Sequence, residues 1–246
     1  WTLDINTAIY YATRLQKKGR VFKTLIPLDQ VQAFIPWKKE YEIVLFPGAV
    51  KDVEEITFHS AAYFIKKMKS EGLWPLYKAY AARIKREVFY RPTGIHGLAH
   101  TRNVLLMVLL LGLLTSSDLK DLEVLAETAL YHDIGRCNDN FDPEHGKASY
   151  EKAEELNLFQ VPDQEKSLVR FLIETHCMDD QQGIKLLSQW PGVDRERALH
   201  LFKVFKDADG LDRVRIMDLD ARQLRLPESW ELLLMARQLL DFPDLV

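Results

Sequence analysis

The stretch that decides the fold is Leu130-Tyr131-His132-Asp133-Ile134-Gly135-Arg136, in which an imidazole and a carboxylate follow each other at the end of an apolar segment. Burying these polar groups is unfavourable unless a partner compensates for their lost hydration. A divalent cation would compensate, because imidazole nitrogens and carboxylate oxygens both ligate metal ions. Such pairs are common, so the meaning of this one depends on the residues that accompany it.

Further histidines and an aspartate lie near the ends of the helices that the sequence predicts around this pair. Helical spacing of apolar residues, interrupted by Pro and Gly, predicts helices over 100–114, 118–133, 143–155, 162–176 and 194–209. Side chains at the ends of separate helices can converge at one end of a bundle. The candidate metal ligands at these helix ends are His100, His132, Asp133, His145, His176 and Asp209.

The remaining sequence predicts a mainly α-helical protein with a small α+β segment at its N-terminus. A strand-like run, Glu42-Ile43-Val44-Leu45-Phe46, ends at Pro47. We expect an N-terminal α+β segment over 1–55 and a helical domain over 56–246. Further helices are expected over 2–18, 57–71, 74–90 and 228–240.

Composition argues against several classes of protein. The 246 residues carry a net charge of −3 and 47% hydrophobic residues, which is ordinary for a globular protein and argues against bulk binding of nucleic acid. The longest apolar run, 104–114, is shorter than the ~20 residues that span a bilayer. Cys137 and Cys177 give no disulfide framework and no signal peptide is visible. We therefore expect a cytoplasmic protein that does not enter membranes.

Five short motifs resemble, in their order, those of the HD superfamily of metal-dependent phosphohydrolases. The resemblance covers about residues 90–215 and implies an HD-type helical bundle. The motifs are His96-Gly97-Leu98-Ala99-His100-Thr101-Arg102-Asn103-Val104, Tyr131-His132-Asp133-Ile134-Gly135-Arg136, Glu144-His145-Gly146-Lys147-Ala148-Ser149, Glu174-Thr175-His176-Cys177 and Lys206-Asp207-Ala208-Asp209-Gly210-Leu211-Asp212-Arg213.

The resemblance also implies which residues bind metal. Members of the superfamily that hold two metals use extra histidines, and His145 and His176 match those positions. Asp207 competes with Asp209, although the second Asp of the family's Asp-x-Asp pattern is the usual ligand. His96 competes in the same way with His100 for the first ligand position. In the family an Arg-Val step follows the first histidine by a few residues, and Arg102-Asn103-Val104 therefore favours His100. The four defining ligands would be His100, His132, Asp133 and Asp209.

A phosphohydrolase of this kind would act on a small phosphate ester or a nucleotide with one or two ions of Mn, Fe, Mg, Ni or Zn. The metal would lower the pKa of bound water towards ~7 and so supply hydroxide. Cationic side chains would stabilise charge on the phosphoryl oxygens, and Arg136, Lys147 and Arg213 are candidates. Glu144 is a candidate partner of His145. Single-metal nucleotidases of the superfamily often carry an acid where Arg136 stands, so their mechanism is not implied.

Other functions stay open from the sequence. Some proteins that resemble this superfamily use a di-iron pair on the same ligands for oxygen-dependent C–C or C–P cleavage, and a regulatory domain could bind a metal or a nucleotide without reaction. Glu40-Tyr41-Glu42 resembles the Glu-x-Glu strand of ADP-ribosyltransferases, although an edge strand with acidic flanks is the better explanation because short motifs match by chance. Since the sequence begins at Trp1 rather than Met, a longer protein with such a domain upstream also stays open.

Overall fold

The computed structural model describes residues 1–13, 19–37, 40–140 and 142–241. Within these ranges the chain is mainly helical with short strands near its N-terminus, which confirms the predicted fold class. The helices are α1 (Ile5–Thr13), α2 (Ala61–Ser70), α3 (Trp74–Ala81), α4 (Leu98–Leu114), α5 (Leu119–Tyr131), α6 (His145–Glu155), α7 (Asp163–Thr175), α8 (Asp180–Leu187), α9 (Arg195–Leu211) and α10 (Leu233–Asp241). The strands are β1 (Val21–Lys23), β2 (Val31–Ile35), β3 (Glu42–Leu45) and β4 (Glu54–Ile56).

Helix α4 lies at the centre of the bundle because it is apolar on every side. Residues 104–111 are completely buried, and a helix with no polar face is stable only when other elements surround it. Helices α3, α5 and α9 pack against α4, and α7 packs against both α5 and α9. Helix α6 then packs on α7. This arrangement brings the beginnings of α4 and α6 to the same end of the bundle as the ends of α5, α7 and α9.

The prediction of a helix over 74–90 is wrong in its second half. Helix α3 ends at Ala81, and only a short 3₁₀ turn follows at Arg86–Val88. The chain leaves the helix where Arg83 places Nη1 2.5 Å from Glu127 Oε1 and donates to the carbonyl oxygen of Leu158 at 3.3 Å. These contacts with distant elements outweigh local helix propensity.

The N-terminal segment contains two small antiparallel sheets. Strand β1 pairs with β4, so that Val21 faces Ile56, and β2 pairs with β3, so that Phe34 faces Ile43. The predicted strand at 42–46 is therefore present as β3, whereas β1, β2 and β4 were not predicted. Helix α1 packs against α10, and part of the helix predicted over 2–18, residues 14–18, lies outside the described residues. The domain boundary after residue 55 stays a prediction.

Other differences concern helix ends. The predicted helix over 57–71 begins later, at Ala61, and the one over 228–240 starts as a 3₁₀ helix at Pro227–Leu232 before α10. Helix α8 was not predicted. Among the helices of the described ranges, none has the length and apolar character needed to cross a membrane.

Candidate metal centre

Five helix ends bring the predicted ligands together at one end of the bundle. The ligands meet because each of these side chains lies where a buried helix joins a loop. Apart from Asp209, which is partly exposed, all of these side chains are buried. They are His100 in the first turn of α4, His132 and Asp133 directly after α5, His145 at the start of α6, His176 directly after α7 and Asp209 in the last turn of α9.

The four imidazoles form two close pairs with Asp133 between them. His100 Nε2 lies 3.0 Å from His132 Nε2, and His145 Nε2 lies 2.8 Å from His176 Nε2. Asp133 Oδ2 is 3.4 Å from His100 Nε2 and 3.5 Å from His132 Nε2. Its other oxygen, Oδ1, is 3.1 Å from His145 Nε2 and 3.6 Å from His176 Nε2. One carboxylate therefore faces both imidazole pairs.

The structure separates the two aspartates that competed for the last ligand position. Asp209 Oδ1 lies 3.4 Å from His100 Nε2. The buried carboxylate of Asp207 instead accepts hydrogen bonds from the backbone N–H of Arg225, at 2.8 Å, and from Ser229 Oγ, at 2.7 Å. Asp209, and not Asp207, thus reaches the imidazoles. The role of Asp209 as a ligand stays a prediction.

In its neutral form, each imidazole directs a nitrogen without a proton into the cluster. A neutral imidazole carries one N–H, and the nitrogen that lies next to an acceptor is the one that holds the proton. The Nε2 atoms therefore carry lone pairs that point at one another and at carboxylate oxygens. The Nδ1 acceptors are Asp212 Oδ2 for His100 at 2.7 Å, the carbonyl of Ala129 for His132 at 2.9 Å, that of Ile173 for His176 at 2.7 Å and that of Asp142 for His145.

The electrostatics of this cluster favour positive charge at its centre. Burial lowers the pKa of His132 to about 3, which leaves its imidazole neutral. Burial raises the pKa of the Asp133 carboxyl, but the neighbouring imidazoles outweigh it and hold that pKa well below its usual range. Burial also lowers the pKa of His100, yet hydrogen bonds with Asp133 and Asp212 raise it to about 9. Without a metal, a proton on His100 therefore supplies the cation that the acceptors attract.

The donor set fits a divalent metal ion. Ligands that lie ~2.1 Å from an ion are at most about twice that distance apart. His100 Nε2 lies 3.0 Å from His132 Nε2 and 3.4 Å from Asp209 Oδ1, and His145 Nε2 lies 3.1 Å from Asp133 Oδ1 and 2.8 Å from His176 Nε2, so these distances are within that limit. Imidazole nitrogens combined with carboxylate oxygens suit Mn, Fe, Ni and Zn better than they suit Mg or Ca.

The match to known families agrees with this geometry. Residues 97–214 match the family model of the HD domain. These residues form an HD domain. The matched range runs from the beginning of α4 to just beyond α9, so it contains all the candidate ligands. No curated protein and no solved structure matches the chain significantly.

A cavity of about 320 Å³ opens onto the cluster in the HD domain. Asp133, His145, His176 and Asp209 reach its wall. Cys177 also lines it, with Sγ 3.1 Å from the carbonyl oxygen of Pro143. The rest of the wall carries three further aspartates, Asp142, Asp218 and Asp220, and five basic side chains, and the basic ones are the groups that an anion could engage. The basic side chains are Arg136, Lys206, Arg213, Arg215 and Arg225.

Two predicted catalytic residues, Glu144 and Lys147, do not reach this cavity. Lys147 extends from the exposed side of α6, where Nζ lies 3.9 Å from Glu151 Oε1. Residues two positions apart in an α-helix point in directions that differ by about 200°. Lys147 therefore points away from the side of α6 that His145 occupies. Glu144 is exposed just before α6, and His145 Nδ1 pairs with a backbone carbonyl rather than with Glu144. Neither residue lines the cavity, so their positions do not support the predicted catalytic roles.

Arg136 does reach the cavity, but it contacts Asp133. Its Nε donates to Asp133 Oδ1 at 2.9 Å, and its Nη1 donates to the carbonyl oxygen of Asn140 at 3.2 Å. His96, the predicted competitor of His100, lies on the other side, with Nδ1 2.8 Å from Asp133 Oδ2. Arg136 and His96 therefore fix the orientation of the carboxylate between the two imidazole pairs.

Sequence reasoning did not assign a role to Asp212. This residue is buried, and it accepts hydrogen bonds from His100 Nδ1 and, at 2.8 Å, from Asn103 Nδ2. A usable signal was present, because a histidine that ligates a metal needs an acceptor for its second nitrogen. Asp212 lies one turn beyond Asp209 in the same motif, which places it near that nitrogen.

Proposed function

We propose that this protein is a metal-dependent phosphohydrolase that cleaves a small phosphate ester. The observation that carries the proposal is the convergence of four imidazoles and two carboxylates beside one cavity, whose wall some of them reach. A bound divalent ion supplies Lewis acidity towards water and phosphoryl oxygens. His100, His132, Asp133 and Asp209 would hold one ion, and Asp133, His145 and His176 would hold a second.

The chain itself contributes a rigid carboxylate at the centre of this ligand set. Asp133 Oδ1 faces one imidazole pair and Oδ2 faces the other. Because Arg136 and His96 each donate a hydrogen bond to one of these oxygens, the carboxylate has little freedom to turn. Fixed orientation matters because a small misplacement of catalytic groups lowers rates strongly. Asp133 would therefore set the spacing of the two metal positions.

The cavity suits a small anionic substrate. A volume of about 320 Å³ lies at the lower end of ordinary small-molecule sites. Arg213 is the cation that a phosphate would engage most easily, since its partner Asp218 is exposed. Exposed ion pairs contribute little stability, whereas a guanidinium binds phosphate with two parallel hydrogen bonds. When the substrate binds, the guanidinium of Arg213 would leave Asp218 and donate its hydrogen bonds to the phosphate.

Phosphate release with defined metals tests the proposal. Purified protein, analysed for metal content, is assayed with Mn, Fe, Mg, Ni or Zn against phosphomonoesters, phosphodiesters, sugar phosphates and nucleotides. We expect metal-dependent phosphate release that Asp133→Asn abolishes and that Lys147→Met leaves unchanged. Equal turnover by the Asp133→Asn variant and the unmodified protein would refute the assignment.

Iron content, EPR and oxygen consumption, measured beside phosphate release, separate hydrolysis from oxidation. The ligand set would also suit a di-iron oxygenase, but Arg213, a cation of the cavity wall with an exposed partner, supports a phosphate ester as substrate. An oxygenase would be purified with iron, would show a mixed-valent EPR signal and would consume oxygen. If these signals appear and no ester releases phosphate, the hydrolase proposal is wrong.

A further inference from the structure

The four imidazoles of the cluster differ in what holds their outer nitrogen. In three of them the Nδ1 proton is directed at a backbone carbonyl three residues earlier, as in His132 with Ala129 and His176 with Ile173. His100 is the exception, because its Nδ1 lies 2.7 Å from a carboxylate oxygen of Asp212. One metal position is therefore backed by a carboxylate, which Arg215 partly neutralises, whereas the imidazoles of the other position have only backbone carbonyls behind them.

Asp212 is held firmly enough to act on His100. It is 1% exposed. Asn103 Nδ2 donates to Oδ1 at 2.8 Å, and Arg215 Nη1 donates to Oδ2 at 3.1 Å. Arg215 is itself anchored, since its Nε donates to the carbonyl oxygen of Ile95 at 2.6 Å. With both oxygens occupied, the carboxylate cannot rotate away from the imidazole.

The ligand set adds to this asymmetry. Asp209 Oδ1 lies 3.4 Å from His100 Nε2, so the position at His100 has a carboxylate in addition to the shared Asp133. The position between His145 and His176 has the shared oxygen Asp133 Oδ1. A carboxylate partner makes an imidazole a stronger metal donor, and the loss of such a partner typically lowers metal affinity 10–100-fold.

We propose that Asp212 is a positioning residue that makes the metal position at His100 and His132 the tighter of the two. The inference rests on the ligand set of the proposed function. The ions then bind in a fixed order, first at His100 and His132 and later, at higher free metal, at His145 and His176. At limiting metal the chain holds a single ion, and its second position responds to the metal concentration.

Titration of the metal-free protein with Mn²⁺ tests this order. Free Mn²⁺ is followed by its EPR signal, and bound metal is measured by elemental analysis. We expect two binding phases separated by at least about tenfold in affinity. Asp212→Asn keeps an oxygen acceptor for His100 but removes the charge, so the tight phase weakens by about 10–100-fold while the weak phase is unchanged.

Two further variants keep the test independent of folding defects. Asp207→Asn is the matched control, because it removes another buried carboxylate that is paired with an arginine, Arg225, and it should leave both phases unchanged. His145→Ala should remove the weak phase and keep the tight one. Circular dichroism verifies that each variant is folded.

The outcomes are distinct. A tight phase that Asp212→Asn leaves within about twofold of its original affinity overturns the inference. Two equal phases, or loss of the tight phase in His145→Ala, overturn it as well, while the proposed hydrolase survives. If the unmodified protein binds no Mn²⁺ and no other divalent ion, the ligand set fails and the proposed function falls together with the inference.

Discussion

Two buried clusters of ionisable side chains, both supplied in part by the α5 segment, are built in opposite ways. In the first, Arg83 Nη1 lies 2.5 Å from Glu127 Oε1, and Arg83 Nη2 lies 3.3 Å from Tyr131 Oη. Charge in this cluster is balanced by the protein itself. In the second, around Asp133, imidazole lone pairs and carboxylates face one another, so that acceptors outnumber donors.

The difference teaches how to separate structure from function among buried polar groups. A buried pair of opposite charges, such as Arg83 and Glu127, is balanced in charge without a ligand, and its removal should affect stability alone. A cluster with excess acceptors is complete only when a cation from outside the chain occupies it. Mutations and metal should therefore act differently on the two clusters.

The largest effect on stability is expected from Glu127→Ala. This variant leaves Arg83 without its counter-charge, and breaking one partner of a buried ion pair costs about 3–5 kcal/mol. For a chain of this size, each kcal/mol shifts the melting temperature by about 2–4 °C. Thermal unfolding of the metal-free proteins measures the loss.

Glu151→Ala is the matched control, since it removes a glutamate from an exposed position. Its stability should stay within about 0.5 kcal/mol of the unmodified protein. If Glu127→Ala and Glu151→Ala melt at the same temperature, the ion pair of Arg83 and Glu127 does not stabilise the fold as proposed.

A smaller effect of opposite sign is expected from metal at the second cluster. A ligand that binds only the folded state at a hundredfold its dissociation constant stabilises a protein by about 3 kcal/mol. Mn²⁺ should therefore raise the melting temperature of the unmodified protein and of Glu127→Ala by similar amounts. Asp133→Ala should show no rise, and a chelator should reverse the rise in the others. A rise that persists in Asp133→Ala would place the metal elsewhere.

The side chains around Asp133 could be predicted to lie together because their positions depend on helix ends. Pro162 marks the start of α7, and the apolar core of α4 places His100 at its first turn, so the convergence follows from the pattern of helices and loops. That they meet is visible in the structure, whereas their binding of metal stays a prediction.

The directions of side chains, and contacts between residues that are far apart in the sequence, were harder to predict. Lys147 was assigned by its distance along the chain, although the helical angle from His145 points it to solvent. The early end of α3 depends on Arg83 meeting Glu127, which lies 44 positions later in the sequence. Asp212 was not assigned a role because its partner, His100, lies even farther away, 112 positions earlier in the sequence. Local propensity carries no information about such contacts.

Gly146→Ala should disturb the second cluster without removing any ligand. Helix α6 approaches the end of α7 so closely that a Cβ at Gly146 would overlap the carbonyl oxygens of Ile173 and Glu174. The helices must separate to accept it, which opens the 2.8 Å contact between the imidazoles of His145 and His176. We expect the bound metal to fall from two ions per chain to one.

Elemental analysis after equilibration with excess Mn²⁺ gives the metal count for Gly146→Ala. Gly210→Ala is the control, since a Cβ there meets Leu224 Cδ2 at 3.8 Å, an ordinary contact. It should retain both ions. Two ions bound by Gly146→Ala would show that the position at His145 tolerates a displacement of α6.

The smallest effect is expected where the second cluster meets solvent, at Arg213. Arg213→Met removes a guanidinium that lines the cavity and is paired with the exposed Asp218. Loss of a hydrogen bond to a charged group, reduced by solvent exposure, should raise KM for a phosphate ester roughly tenfold and leave kcat within about twofold. Lys147→Met, which removes a cation outside the cavity, should change neither constant. Steady-state kinetics of the two variants with one ester tests this, because equal KM values would mean that Arg213 does not contact the substrate.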